Sequence, residues 1–468
     1  MAIWTPNIDA GSGPAYRQIA DAIAEDIASG TLPAGTRLPP HRILAYAIGV
    51  SPSTTSRAYA EAVARGLVYG EVGRGTYTRP PGAVPEGTSP AHMIRRTSGP
   101  IDFAYNLPTP GEAARFLAGT LATMGQGREL QTFLDFQRPN GLAHHTAAAI
   151  DWFTRTGVTA HPDEIVVTVG GQHGLLAAMS AVLAPGEILA AESLCYPPIG
   201  VMAERLGLRI APVAVDRGGL SPDDLARACK ERRIRAVYVM PTLQTPTTIT
   251  MDAERRSKII EVAHQYDLMI IEDDVFGMLK PHAPKPLVAL APERALYISS
   301  VSKCLTPGLR VGYVKAPASL VPALHHAVKM SCWMPPPIMV EIASRWILDG
   351  TADHLIAAQR SEARERQKSA RSKLRHFDIQ ADPDGLQVWL RLPTGWSEGG
   401  FCAAAAERGV DVSDGSSFSL DANEHPRAIR IALGHEPARA RVDSGLEILR
   451  ALLEERTNKP RQEQFPPA

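Results

Sequence analysis

Between residues 164 and 314, short strand-like apolar runs alternate with helical stretches. This alternation narrows the possible folds of the 468-residue chain more than any other feature. The strand-like runs are 164–169, 188–191, 235–240, 268–271, 295–298 and 311–314. Helical spacing fills the gaps at 174–183 and 251–266 and follows at 320–330. Runs apolar at consecutive positions suit strands buried on both faces, and a helix between two such strands returns the chain parallel to itself. The expected product is an α/β domain with a mostly parallel sheet, in which ligands gather at the carboxyl ends of the strands.

The polar residues stand at those ends. The run 295–298 leads into SSVSKCLTPGLRVGY at 299–313, which sets Lys303 among Ser300, Ser302 and other hydroxyls, with Arg310 further on. A lysine so placed can form a Schiff base with an aldehyde, while hydroxyls and a guanidinium suit a phosphate. Pyridoxal 5′-phosphate (PLP) carries both groups. After 268–271 come Glu272, Asp273 and Asp274. A carboxylate there can pair with a pyridinium nitrogen, or it can cap a turn. After 188–191 comes Tyr196, whose ring can lie on another aromatic ring or pack in the core. The loop after 235–240 brings the hydroxyls of Thr245, Thr247 and Thr248. Gly170-Gly171-Gln172-His173 is expected as a turn before the helix at 174–183, whose start offers N–H groups and a positive dipole end to an anion.

From about residue 350 the pattern changes. A long helix at 355–375, rich in Arg and Glu, is expected to be largely solvated. Strand-like GLQVWLRL at 385–392 and AIRIAL at 428–433 flank a helix at 401–407, which predicts a smaller α+β unit. Arg430 lies in the second of these strands, a fork-shaped donor suited to a carboxylate or to the surface. His144, His145 and His173 have no partner at metal-ligand spacing, so no metal is expected, and Trp389 and Trp396 read as packing residues.

The first 80 residues follow a different plan. Ile19, Ile23 and Ile27 mark a helix at 15–29 that Gly30 stops. A short helix at 41–48 ends at Gly49, and Ser51-Pro52 reads as an N-cap followed by proline at the first helical position. Short strands at 67–69 and 76–78 enclose the turn Val72-Gly73-Arg74-Gly75. Helix, helix, turn, helix and hairpin is the order of a winged helix-turn-helix, whose second helix of the pair enters the major groove. Its start carries Ser51, Ser53, Thr54 and Arg57, and the hairpin tip carries Arg74. The chain has no net charge, but residues 31–80 hold six arginines against two glutamates, a footprint for phosphates. Residues 79–100 are rich in Pro, Gly and Ser and read as a semi-extended linker, and the end of the chain reads as a disordered tail.

Five scattered cysteines without a CxxC fit a reducing compartment, and no run is long and apolar enough to span a bilayer. The N-terminus lacks the basic start and apolar core of a signal peptide. A cytoplasmic protein is expected.

Two resemblances sharpen these readings. The segments Gly35-Thr36-Arg37-Leu38-Pro39, Arg42, Leu44-Ala45, Gly49-Val50-Ser51, Arg57-Ala58-Tyr59, Gly66-Leu67-Val68 and Gly73-Arg74-Gly75-Thr76 resemble the DNA-binding domain of the GntR family of bacterial regulators. That resemblance implies DNA contacts from Arg42, Ser51, Ser53, Thr54, Arg57 and Arg74. It also marks a departure, since Pro52 stands where the family usually has Arg. The lysine stretch, over about 101–455, is similar to the fold type I aminotransferases. This implies an internal aldimine at Lys303, phosphate contacts from Gly171, Gln172, Ser300, Ser302 and Arg310, a pyridinium partner in Asp273, ring stacking by Tyr196 and carboxylate binding by Arg430. Here too the chain departs, with Thr245 in place of the usual Asn and Phe276 in place of the usual Tyr. Both lost groups bond the cofactor's phenolic oxygen.

Together the two resemble the MocR subgroup of regulators. The expected fold is multi-domain: a winged helix-turn-helix at 10–79, a linker at 80–100, a PLP-dependent transferase fold at 101–455 with a small α+β subdomain at about 350–455, and a tail at 456–468. The expected function is a PLP-dependent transcription regulator that senses an amino acid or amine through an aldimine at Lys303. The alternative is an active aminotransferase carrying a DNA-binding domain. Expected partners are an operator in double-stranded DNA, the small effector and a second copy in a head-to-tail homodimer, with no membrane.

Overall fold

The computed structural model describes residues 4–6, 8, 14–33, 35–64, 67–71, 75–78, 95, 97–421 and 426–457. It forms two compact units, Met1–Ile94 and Arg95–Ala468.

In the first unit, α1 (Ala15–Ser29) buries Ile19, Ile23 and Ile27 against Leu44, Ala58, Tyr59, Ala62 and Val68. Gly30 and Gly49 end α1 and α2 (His41–Ile48) with φ of 81° and 70°, a left-handed conformation that costs glycine little. Ser51 caps α3 (Pro52–Ala64) by accepting from Thr54 N at 3.1 Å. Strand β1 (Val68–Glu71) pairs antiparallel with β2 (Gly75–Thr78). The hairpin tip with Arg74 lies outside the described residues, as do 79–94 of the linker and 458–468 of the tail.

The second unit opens with β3 (Ile101–Phe103) and then builds its large sheet from β4 (Ile165–Thr168), β5 (Ile188–Glu192) and β6 (Arg209–Val213). A small hairpin, β7 (Val215–Asp216) and β8 (Gly219–Leu220), follows. The remaining strands of that sheet are β9 (Ile234–Val239), β10 (Met269–Asp273), β11 (Ala295–Ser300) and β12 (Gly312–Lys315). Their order is β4-β12-β11-β10-β9-β5-β6, parallel except for β12, which runs antiparallel to both neighbours. A second sheet joins β13 (Ile379–Ala381), β14 (Gln387–Arg391), β15 (Val410–Asp414) and β16 (Ala428–Ala432) to β3, in the order β13-β14-β16-β15-β3. The small subdomain therefore includes a strand from residues 101–103, which parallel pairing with β15 holds in place.

Three expectations need correction. Gly170–His173 is the first turn of helix Gly170–Val182 rather than a turn before it. The helix Thr351–Lys373 buries Gln359, Arg366 and Gln367, so it is less solvated than its charge suggests. Arg366 Nη1 donates to Leu433 O at 2.5 Å and Glu436 O at 2.6 Å, which satisfies a charge that burial would otherwise make costly. The final helix runs to Thr457, beyond the expected start of the tail at 456.

Candidate functional site

Parallel pairing places Asp273, the last residue of β10, beside Ile298 of β11. The chain leaves β11 at Ser300 and turns through a single 3-10 turn, Val301–Lys303. Lys303 thereby returns over the strand ends, where its Nζ donates to Asn106 O at 2.6 Å. Burial, with Arg430 as the next cause, lowers its pKa to about 8. A lysine kept partly neutral in this way is a nucleophile toward aldehydes.

The choice between the two aspartates follows from direction. Asp273 Oδ2 accepts from Tyr238 O–H at 3.0 Å and Oδ1 from Val275 N at 3.4 Å, and its charge acts on Lys303 and Tyr196. Asp274 points elsewhere and accepts from Tyr297 O–H at 2.6 Å. Burial raises Asp273 to about 6, a carboxyl that a cationic partner would readily ionise. Glu272 is occupied with Leu287 N and Val288 N, each at 2.9 Å.

The residues expected to bind an anion also meet. Gly171, in the first turn of its helix, is packed so closely that a Cβ would lie 2.7 Å from Val275 Cγ1 and 3.5 Å from Ser300 Cβ. Ser300 Oγ accepts from Ser302 N at 3.2 Å and lies 3.0 Å from Ser302 Oγ and 3.1 Å from Val311 O, to one of which it can donate. Arg310, at φ 52°, reaches Val169 O at 3.2 Å, and a Cβ on Gly170 would lie 2.8 Å from its Nη2. Tyr196 O–H donates to Gln172 Oε1 at 3.3 Å, and burial raises its pKa to about 12. Helix N–H groups, two hydroxyls and a guanidinium make a donor set that fits a phosphate. A half-buried amine and a buried carboxylate whose charge acts on it fit the aldehyde and the ring nitrogen of PLP.

Arg430 on β16 donates through Nη2 to Ala104 O and to Ser413 Oγ at 3.1 Å, and stacks over the Phe418 ring at 4.7 Å. Its buried Nε has no partner, and burial lowers its pKa to about 10. Thr245 is buried and precedes Pro246 through a cis peptide. Phe276 is buried with its ring centroid 5.4 Å from Lys303 Nζ.

Sequence reasoning missed Asn106, Tyr238, Gln244 and Gln387. Gln387 on β14 donates to Gln244 O and Pro246 O, both at 3.2 Å, and accepts from Asn106 Nδ2 at 2.6 Å. It thus ties the Thr245 loop to the small subdomain. Tyr238 and Gln244 stood at or beside a recognised strand end and Gln387 in a recognised strand-like run, but nothing local marked their side chains; Asn106 had no local signal. His144 and His145 do have a partner after all. Glu341 Oε2 lies 2.5 Å and 2.9 Å from their Nε2 atoms. Leu142 N donates to His145 Nδ1 at 3.0 Å, which leaves His145 Nε2 to donate to Glu341, and the ligand atoms of the three side chains lie within 4.8 Å of one another. Against the burial that would raise it, His145, His144 and Arg345 pull Glu341 down to about 2.

In the first unit, Arg42, Ser51, Ser53 and Arg57 are exposed and Thr54 is half-buried. Ser51 Oγ lies 2.7 Å from Ser53 Oγ and 2.8 Å from Thr54 Oγ1, and the Arg57 guanidinium lies 4.0 Å over the Tyr16 ring.

Fold and site together define a fold type I transferase domain in a chain that also carries a winged helix-turn-helix. Residues 105–442 match the family Aminotransferase class I and II, and residues 15–78 match the bacterial regulatory proteins of the gntR family. The chain belongs to the class I and II aminotransferase family and carries a GntR domain, the layout of the MocR subgroup of transcription regulators. It is 28% identical to the HTH-type transcriptional regulator YdeF of Bacillus subtilis (strain 168), over 97% of each chain. It is 27% identical to the regulatory protein MocR of Rhizobium meliloti, over 86% of each. An archaeal alanine:glyoxylate aminotransferase structure superposes with a TM-score of 0.71 at 25% identity, over 77% of this chain and 92% of that one. Among the described residues, no helix is long and apolar enough to cross a membrane.

Proposed function

We propose that the protein is a cytoplasmic, PLP-dependent transcription regulator that binds operator DNA and senses an amino acid or amine at Lys303. The observation that carries this reading is the half-buried Lys303 amine, lowered to about 8, in the same site as Asp273 and the Ser300–Ser302–Arg310 anion cradle. PLP, when bound, supplies an aldehyde and an electron-withdrawing ring.

The chain's own residues supply the rest. Lys303 provides the attachment nitrogen, and Asp273, held by Tyr238, keeps a ring nitrogen protonated. Gly171, Gln172, Ser300, Ser302 and Arg310 hold the phosphate. Tyr196 covers the ring, and Thr245 offers a hydroxyl near the loop fixed by Gln387. Arg430, with its open Nε, takes an effector carboxylate. Phe276 offers no hydroxyl, which favours ligand retention over fast turnover. Arg42, Ser51, Ser53, Thr54, Arg57 and Arg74 are the residues assigned to DNA.

A homodimer fits an apolar surface on the second unit. Leu134, Phe136, Met330 and Trp333 are 69%, 80%, 74% and 50% exposed, with Phe136 and Trp333 rings 5.6 Å apart. The test has two parts. Purified protein with PLP should show the visible band of a lysine–PLP imine, absent in Lys303→Ala, and should footprint DNA upstream of its own gene. Many turnovers with an amino acid and a keto acid at useful rates would favour an active aminotransferase instead. Absence of the band would sink both readings.

A further inference from the structure

The two cations of the candidate site are held by one short stretch of backbone. Lys303 Nζ donates to Asn106 O at 2.6 Å, and Arg430 Nη2 donates to Ala104 O. Arg95 grips the far end of that stretch, with Nη2 donating to Pro108 O and Nη1 to Gly434 O at 2.9 Å and His435 O at 2.7 Å. In the sequence, Arg95 lies near the end of the run 79–100 that leads from the winged helix. The stretch has little slack. A Cβ on Gly434 would lie 1.9 Å from Leu107 O, and Asp102 Oδ1 accepts from Ala104 N at 2.8 Å and Tyr105 N at 3.3 Å.

Ligand chemistry disturbs both inner contacts. A lysine nitrogen joined to a carbonyl carbon keeps at most one hydrogen, fixed in the plane of the new double bond, so it cannot go on donating freely to Asn106 O. A carboxylate at Arg430 fills the open Nε and competes with Ala104 O for the same fork. Both released carbonyls lie within four residues of Pro108, the acceptor of Arg95. Closely packed backbone does not absorb such a change locally.

We propose that Arg95 is a positioning residue that couples occupancy of Lys303 and Arg430 to the chain leading to the DNA-binding unit. Occupancy frees the 104–108 stretch, and Arg95 moves with Pro108 or lets it go. This rests on the reading above of a PLP-responsive regulator.

The experiment uses the full chain, wild type, Arg95→Ala and Arg95→Lys, with PLP as ligand and a duplex from upstream of the protein's own gene. In the wild type, PLP should change the DNA dissociation constant by about five-fold or more, a typical allosteric coupling. In both variants that response should fall below about two-fold, with the imine band and PLP-free DNA binding retained. Lysine keeps the charge but cannot serve three carbonyls from one planar fork. A variant that keeps the full response overturns the coupling and leaves the regulator reading intact. A wild type with an imine band but no DNA response overturns the coupling alone, and a missing band overturns both. If Arg95→Ala does not fold, Arg95→Lys carries the test, together with hydrogen exchange of peptides over 104–112 in the wild type. Exchange there should rise when PLP is added, and unchanged exchange overturns the proposal.

Discussion

Lys303 Nζ stands 5.4 Å from the centroid of the Phe276 ring, with Phe276 buried beneath it. The ring's negative face steadies an ammonium but offers no hydrogen bond. Phe276→Tyr would add a hydroxyl on that side of the lysine. A hydrogen bond to a charged group contributes about 1.5–3 kcal/mol, so the variant should form pyridoxamine phosphate from an amino acid roughly ten-fold or more faster in a single turnover. Stopped-flow absorbance reads it, and an unchanged rate would mean that the missing hydroxyl is not what limits turnover.

The site should also show a marked pH dependence. Burial and the cationic Arg430 lower Lys303 from its ordinary 10.5 to about 8. A protonated amine has no lone pair, so capture of PLP by cofactor-free protein should speed up as pH rises and level off above about 8. Arg430→Met removes a cation, so its profile should shift to higher pH. A shift to lower pH would show that Arg430 does not act on the lysine through its charge.

Tyr238 and Asp273 form a pair whose loss has a defined sign. The 3.0 Å hydrogen bond favours ionised Asp273 against the burial that raises it to about 6. Tyr238→Phe should therefore raise Asp273 further and weaken PLP retention at neutral pH by roughly five-fold to ten-fold, the equivalent of about 1 kcal/mol. Equilibrium dialysis measures it, and equal retention would remove Asp273 from the ring-nitrogen role.

In the first unit, Arg57 lies 4.0 Å over Tyr16. Arg57→Ala should weaken DNA binding across sequences and lower the salt slope by about one phosphate contact. Tyr16→Phe keeps the ring and should leave both nearly unchanged. Anisotropy titrations at several salt concentrations distinguish this from a fold defect, which would leave the slope of the remaining binding unaltered.

Local chemistry carried much of the architecture. Consecutive apolar residues mark β4, β5, β9, β10 and β11 because buried parallel strands need them on both faces. Glycines at 30 and 49 mark helix ends because they adopt positive φ at little cost. Boundaries shifted where hydrogen bonding outran composition. Gly170 begins a helix at φ 77°, where a Cβ would meet the Arg310 guanidinium and glycine alone fits, and Asp273 stays in β10 because pairing with β11 extends to it. The long helix at Thr351–Lys373 looked solvated because its charge pattern does not reveal that carbonyls of 433 and 436 await Arg366.

The sequence by itself determined that a lysine among hydroxyls follows a buried strand, that acidic residues end a neighbouring strand, and that a winged helix-turn-helix precedes them. Those features rest on residues close together in the chain. Only the tertiary structure decided that Asp274 is taken up by the Tyr297 hydroxyl while the charge of Asp273, already singled out by the resemblance, acts on Lys303, that Gln387 ties the two subdomains, and that Asn106 and Ala104 hold the site's cations through their carbonyls. Every residue but proline carries the same backbone groups, and Asn106 lies 197 residues from Lys303. Such a contact leaves no mark on side-chain pattern or spacing and comes into being only when the sheet brings the two segments together.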